Sequence, residues 1–403
     1  MKNVAYPQHS MDPAPKIHRM RAAVLLGSLT AFGPLSIDMY LPALPELASG
    51  YGASASLSQL SITSFLIGMA AGQIIMGPMS DTLGRKKPLL AGLIVFSVSS
   101  ILCAAIPSIW GLIFMRLIQG ASAATGIVIA RAAARDLYSG TELTKFFALL
   151  MLVNGAAPIA SPVAGGLLLS VMPWKGVFMI LAFIGAAMLV AVLWGLPETL
   201  PSAKRSAGGI SNMVQIFIQL IQDKVFMGYC LTQGFVMAAM FSYIAGSPFL
   251  LQEHFHLSPQ VFGLIFSLNG AGIIIAAQIT GRLAGKISEK ILLILGLMKG
   301  LAGSGTLCLM LWLKADLIFV ILPLFLAVSS VGIVGTSSFS LAMNDKERTA
   351  GSAAALHGLM PYIFGAAAAP VAGLGGGIMP MGITMAACHG LALSVYWFFS
   401  WKN

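Results

Sequence analysis

Apolar positions fall along this chain in blocks of about twenty residues or more, parted by short breaks of charge, proline and glycine, with no strict alternation inside them. A helix of that length crosses a hydrocarbon core of about 30 Å, and the absence of alternation argues against the strands of a barrel. The blocks predict twelve spans, near residues 21–43, 57–79, 88–107, 109–133, 145–170, 174–196, 224–250, 259–281, 291–312, 316–342, 350–373 and 377–400. The longest internal connection, 197–223, lies near the midpoint. It divides the chain into a tail (1–20), a six-helix half (21–196), a linker (197–223) and a second six-helix half (224–403). Within the linker, Met213 to Ile221 is apolar enough to lie along a membrane interface.

A displacement of 204 residues sets Thr63, Gly68, Gly77, Lys86 and LLAGL (89–93) over Ser267, Gly272, Gly281, Lys290 and LILGL (293–297). Two halves of common origin explain that repeat. The expected fold is therefore all-α and integral to the membrane, twelve transmembrane helices in two six-helix halves.

Charge adds orientation. Of the 23 Lys and Arg, 19 fall in the tail, the linker and alternate loops, with Lys175 and Lys314 on the other side and Arg116 and Lys299 inside spans. Positive residues stay in the cytoplasm, so both termini are expected there, in a bacterial inner membrane. The net charge of +10 thus reports topology and not a nucleic-acid partner. The apolar run after the polar tail is too long for the core of a cleaved signal. Cys103, Cys230, Cys308 and Cys388 lie inside spans without metal-ligand spacing, so neither a metal nor a disulfide is expected. No nucleotide loop, HExxH or GxSxG occurs, and no loop is large enough for a soluble catalytic site, which disfavours an enzyme.

After the second span comes GPMSDTLGRKK (77–87), in which Asp81 sits among turn donors and Gly84 permits a left-handed bend before Arg85, Lys86 and Lys87. The segment resembles the loop signature of the major facilitator superfamily. RLIQGASAA (116–124) resembles the RxxQG signature of its proton-linked drug exporters, and GAAPIASPVAGG (155–166) their antiporter motif, with Ser161 in place of the usual Gly. SIDMYLPALP (36–45), ARAAARDLYSG (130–140) and LPETLP (196–201) resemble the Bcr/CflA, or bicyclomycin-resistance, subfamily. The resemblance implies a monomeric antiporter that exports small amphipathic drugs by alternating access, driven by the proton gradient without a cofactor. It also implies a helix bent by Pro158, Pro162, Gly165 and Gly166, and a conformational latch joining Asp81, Gly84 and Arg85 to Arg131 and Arg135. GRLAGKISEK (281–290), the repeat of the loop signature, lacks its Asp, second Gly and Arg. The alternative on the same fold is a proton-coupled or facilitative importer of a nutrient.

Asp38 is the only carboxylate well inside a span, where a charge costs about 2.5–3.5 kcal/mol, so a function is expected of it. Burial and nearby cations tune such a group, which fits a proton carrier, against a structural ion pair. Arg116 lies at similar depth and is the expected partner, as a coupling residue or as a structural bridge. Thr30 stands where some relatives carry a further acid. Thr30, Gln119, Asn154, Gln233, Tyr243, Asn269 and His357 are candidates for a substrate cavity, each also able to act as glue between helices. Lys299 is expected to snorkel to the interface.

Overall fold

A computed structural model of the protein describes residues 19–399 apart from 139, 203–204, 206–216, 345 and 347–349. Residues 1–18 of the tail and 13 of the 27 linker residues, Met213 to Ile216 among them, thus lie outside the described residues. Among the described residues the main helices are α1 (Arg19–Thr30), α2 (Phe32–Asp38), α3 (Leu44–Tyr51), α4 (Ala55–Leu83), α5 (Lys86–Ala105), α6 (Ile109–Leu137), α7 (Gly140–Leu168), α8 (Trp174–Gly195), α9 (Lys224–Pro248), α10 (Pro259–Leu283), α11 (Glu289–Trp312), α12 (Leu317–Met343), α13 (Ala350–Ala368) and α14 (Met379–Phe399). Among the described residues ten helices are long and apolar enough to cross a membrane, and the bent run from Met20 to Tyr51 makes an eleventh. α7, with its apolar stretch Gly155–Leu168, occupies the place of the fifth span.

The first span departs from the single helix expected over 21–43. It bends by 42° between α1 and α2, then passes through the 3-10 turn Leu41–Ala43 into α3. Pro34, Pro42 and Pro45 each lack an N–H for the helical ladder, and a membrane bundle tolerates such breaks where other helices cover them. The seventh span likewise runs past its expected end into a π-helical turn, Phe249–His254.

The internal repeat is visible in the caps. Ser54 accepts a hydrogen bond from the backbone N–H of Leu57, and Ser258, 204 positions later, accepts one from Val261. They start α4 and α10 at the same end of the two halves. Loops rich in Lys and Arg mark one end of the bundle, called here the basic end.

At the opposite end the halves pack closely. α7 and α10 approach so that a Cβ on Gly166 would come within 2.6 Å of the Pro259 carbonyl, and one on Gly263 within 2.6 Å of the Pro162 carbonyl. Only glycine permits that contact of backbone on backbone. The Ser267 hydroxyl also donates to the Ile159 carbonyl, α10 to α7. Trp194 and Trp397, in the last turns of α8 and α14, stand exposed at the basic end, while Trp110 and Trp312 do so at the other, as interfacial anchors require.

Candidate functional site

Among the described residues, two cavities lie between the halves away from the contact of α7 with α10 at the closed end. The deeper, of about 300 Å³, is walled by both halves: Ile37, Asp38, Met69 and Pro158 from the first, Met240, Phe241, Tyr243 and Phe266 from the second. Asp38 ends α2 and is buried, and among the described residues it is the only carboxylate or cationic side chain on that wall. Tyr243 is held for the site rather than free to swing. Its hydroxyl accepts from Asn269 Nδ2 at 3.0 Å, and its ring stacks on Phe266 at 5.2 Å between centroids.

Arg116 is not the partner of Asp38. Among the described residues no ion pair joins them. The guanidinium of Arg116 is fully buried away from the cavity, where Nη1 donates to Gln119 Oε1 at 2.6 Å and Gln119 Nε2 donates to Ser100 at 2.7 Å. The rings of Phe65, Tyr40 and Phe178 surround its carbon at 4.4, 4.9 and 5.7 Å, a cation–π cage in place of a counter-ion. Equal depth fixed the height of the two residues but not the direction each faces around its helix.

Several other candidates also do different work from that expected. Gln119 is spent on Arg116 and Ser100, and the Thr30 hydroxyl donates to its own helix at the Gly27 carbonyl, 2.7 Å away. Gln233 is buried beside Gly335 of α12, and His357 lies edge-on to Phe339 with ring centroids 5.4 Å apart. None of these four lines the cavity with Asp38. The side chain of Asn154 lies outside the described residues. Lys299 does not snorkel; its ammonium donates to Ser329 of α12 at 2.8 Å. Pro158, Pro162, Gly165 and Gly166 all sit within α7, Pro158 on the cavity wall, Gly165 against the Met39 backbone and Gly166 against α10.

The second cavity, about 420 Å³, opens at the basic end and is lined by Asp81, Arg85, Arg131 and Arg135 with Ser352 and Leu359 of α13. Here too the expected pairing is redrawn. Asp81 pairs with Arg85, and among the described residues no ion pair joins it to Arg131 or Arg135, which lie exposed along α6. Arg85 instead reaches Asp136 with both Nε (2.9 Å) and Nη2 (3.4 Å) and donates through Nη1 to Ser80 at 2.8 Å. Burial opposes its charge, but the hydrogen bonds and charges of Asp136 and Asp81 more than offset this and hold the guanidinium above its ordinary range.

Gly84 turns the chain into this cluster at φ +88°, where only glycine is unstrained. The turn leaves room for Glu198, whose carboxylate accepts from the backbone N–H of Arg85 (2.8 Å) and Lys86 (3.2 Å) at the start of α5. Thr199 next to it donates to Asp136 at 3.0 Å. The LPETLP segment is therefore the brace of the loop, a role that neither its composition nor its position in the chain disclosed.

Against this geometry, the model of the Major Facilitator Superfamily matches residues 26–370. The chain belongs to the major facilitator superfamily. It is 41% identical to the uncharacterized MFS-type transporter YdgK of Bacillus subtilis, over 91% of this chain and 92% of that one. With the bicyclomycin resistance protein homolog of Haemophilus influenzae it shares 27% identity over 94% and 96% of the two chains. The crystal structure of the nucleoside transporter NupG superposes with a TM-score of 0.76 at 12% identity, covering 94% of this chain and 98% of that one, a likeness of fold. This superfamily member is a multi-pass membrane transporter and not an enzyme, and its solute is a small molecule.

Proposed function

We propose that the chain exports small amphipathic compounds, antibiotics of the bicyclomycin type among them, in exchange for protons. It does so as a monomer in the bacterial inner membrane, by alternating access, with its basic end and both termini in the cytoplasm. The observation that carries this reading is Asp38, a lone carboxylate on the wall of an apolar cavity shared by both halves. A carboxyl group there has no fixed counter-ion, so a proton is the simplest ion to neutralise it before the halves rock past one another. Met69, Met240, Phe241 and Phe266 offer soft and aromatic surface to solutes of varied shape. The relatives named for drug resistance and the basic loops favour the same direction and orientation.

The basic loop cluster stabilises one of the two access states. With the opposite end packed shut, the cavity opens at the basic end, which this reading assigns to the cytoplasm.

The test is drug transport into proteoliposomes with an imposed pH gradient. Asp38→Asn is expected to bind drug but to lose gradient-driven accumulation. Pumping by Asp38→Asn with the wild-type dependence on that gradient overturns the assignment.

A further inference from the structure

The gate at the end opposite the basic loops turns on a residue that the sequence did not single out. Gln59, one turn into α4, is only 1% exposed. Its Nε2 donates across the two halves to the Ala245 carbonyl of α9 at 3.0 Å. Its Oε1 is sealed from solvent with no hydrogen-bond partner, and it is pressed against Gly373, where a Cβ would collide with it. Two further bonds between the halves flank this one. Ser56 donates to the Pro370 carbonyl at 3.1 Å, and Gln252 Nε2 donates to the Pro42 carbonyl at 3.2 Å. Beside Gln59 lies a cavity of about 330 Å³ that Gly246, Glu253, Gly373 and Met381 also line.

A buried amide that makes one bond and leaves one acceptor unmade works in two directions at once. The bond to Ala245 holds the gate, while the orphaned oxygen, which would regain a water partner on opening, pulls against closure. We propose that Gln59 is the positioning residue that keeps this gate releasable, its half-satisfied amide holding the closed and open arrangements close in free energy. An apolar residue of similar size at this position locks the gate. A small one leaves a void at the seam and loosens it.

This inference rests on the alternating-access reading but not on the substrate or the proton, so its test contains neither. In proteoliposomes without drug or pH gradient, a Met381→Cys reporter, 1% exposed at that position in the closed gate, is alkylated by a membrane-impermeant maleimide from the side of the gate. The parent chain, whose four cysteines are buried or half-buried in the spans, sets the background. Gln59→Leu is expected to slow alkylation about fivefold and Gln59→Ala to speed it about fivefold, shifts of the size that a change of one kcal/mol produces. Gln59→Met, also apolar and near the size of Gln, repeats the first result if Gln59→Leu fails to reach the membrane. Changes in the same direction for the apolar and the small substitution, or no change in either, overturn the proposal.

Discussion

Ser340 donates a hydrogen bond to Glu289 at 2.9 Å, and each of these residues stands 204 positions after a member of the Arg85–Asp136 pair. Both pairs bridge 51 residues, joining the start of a helix, α5 or α11, to the basic end of the next, α6 or α12. The contact has survived in both halves while its chemistry has changed. In the first half it is a bidentate ion pair, and in the second a single bond from a hydroxyl to a carboxylate.

That difference makes the first prediction. Asp136→Asn leaves Arg85 largely buried with a weakened acceptor and should destabilise the protein by about 1–3 kcal/mol, whereas Ser340→Ala should cost about 1 kcal/mol or less. Thermal unfolding of the purified protein in detergent measures both, and equal losses would contradict the asymmetry.

The second concerns Arg116. Because it faces Gln119 and aromatic rings rather than Asp38, the two sites should act independently, with a coupling below about 0.5 kcal/mol in a double-mutant cycle of Asp38→Asn and Arg116→Lys. Gln119→Leu, which removes the oxygen acceptor of the guanidinium, should lower stability by about 1–3 kcal/mol without moving the pH optimum of transport. A displaced optimum would place Arg116 in the proton pathway after all.

Gly84 provides the third. Any side chain here meets both the positive φ and the Glu198 carboxylate, so Gly84→Ala should cost about 1–2 kcal/mol from backbone strain, with more from the contact. Gly285 also has a positive φ, +83°, but nothing packs within 4 Å of its missing side chain, so Gly285→Ala should show the backbone cost alone. The difference between the two melting temperatures reads the contact with Glu198 and with Arg205, whose Nη2 a Cβ at Gly84 would also meet.

Glu198 itself gives a pH dependence. Burial would raise its carboxyl, but hydrogen bonds from the backbone of Leu200, Arg85 and Lys86 and the charge of Arg205 bring it below the ordinary value of 4.5. A carboxyl group depressed in the folded state stabilises the protein above its unfolded value and loses that contribution as pH falls through the lower, folded one. Wild-type protein should therefore lose stability below about pH 4.5 more steeply than Glu198→Gln, measured as melting temperature against pH. At pH 7, Glu198→Gln should already be weaker by about 1 kcal/mol, the usual contribution of a helix cap.

The spans and the two halves were legible because twenty apolar residues in a row have few other uses, and Asp38 stood out because no other carboxylate lies deep in a span. What the sequence concealed is azimuth. Counting residues gives depth along a helix, which is why Asp38 and Arg116 looked like partners, but it does not tell which way each faces. Thr30 and Gln119 were polar and at the right depth, yet their groups are spent on Gly27, Arg116 and Ser100. Glu198 meets Arg85 across 113 residues of chain, and the Glu289–Ser340 contact keeps the geometry of a motif whose letters have gone.

The break in the first span has a mechanical consequence. Asp38 rides on a helix of seven residues, set between a 42° bend and a 3-10 turn, rather than on a rod that crosses the whole bilayer. It meets α1 at a bend and does not continue its axis. The turn below it is tied through Pro42 to Gln252 of the other half, so parting the halves at that end also slackens the tether on the segment that carries the carboxyl group. The first span is thus jointed rather than straight, with its two breaks on either side of the segment that carries Asp38.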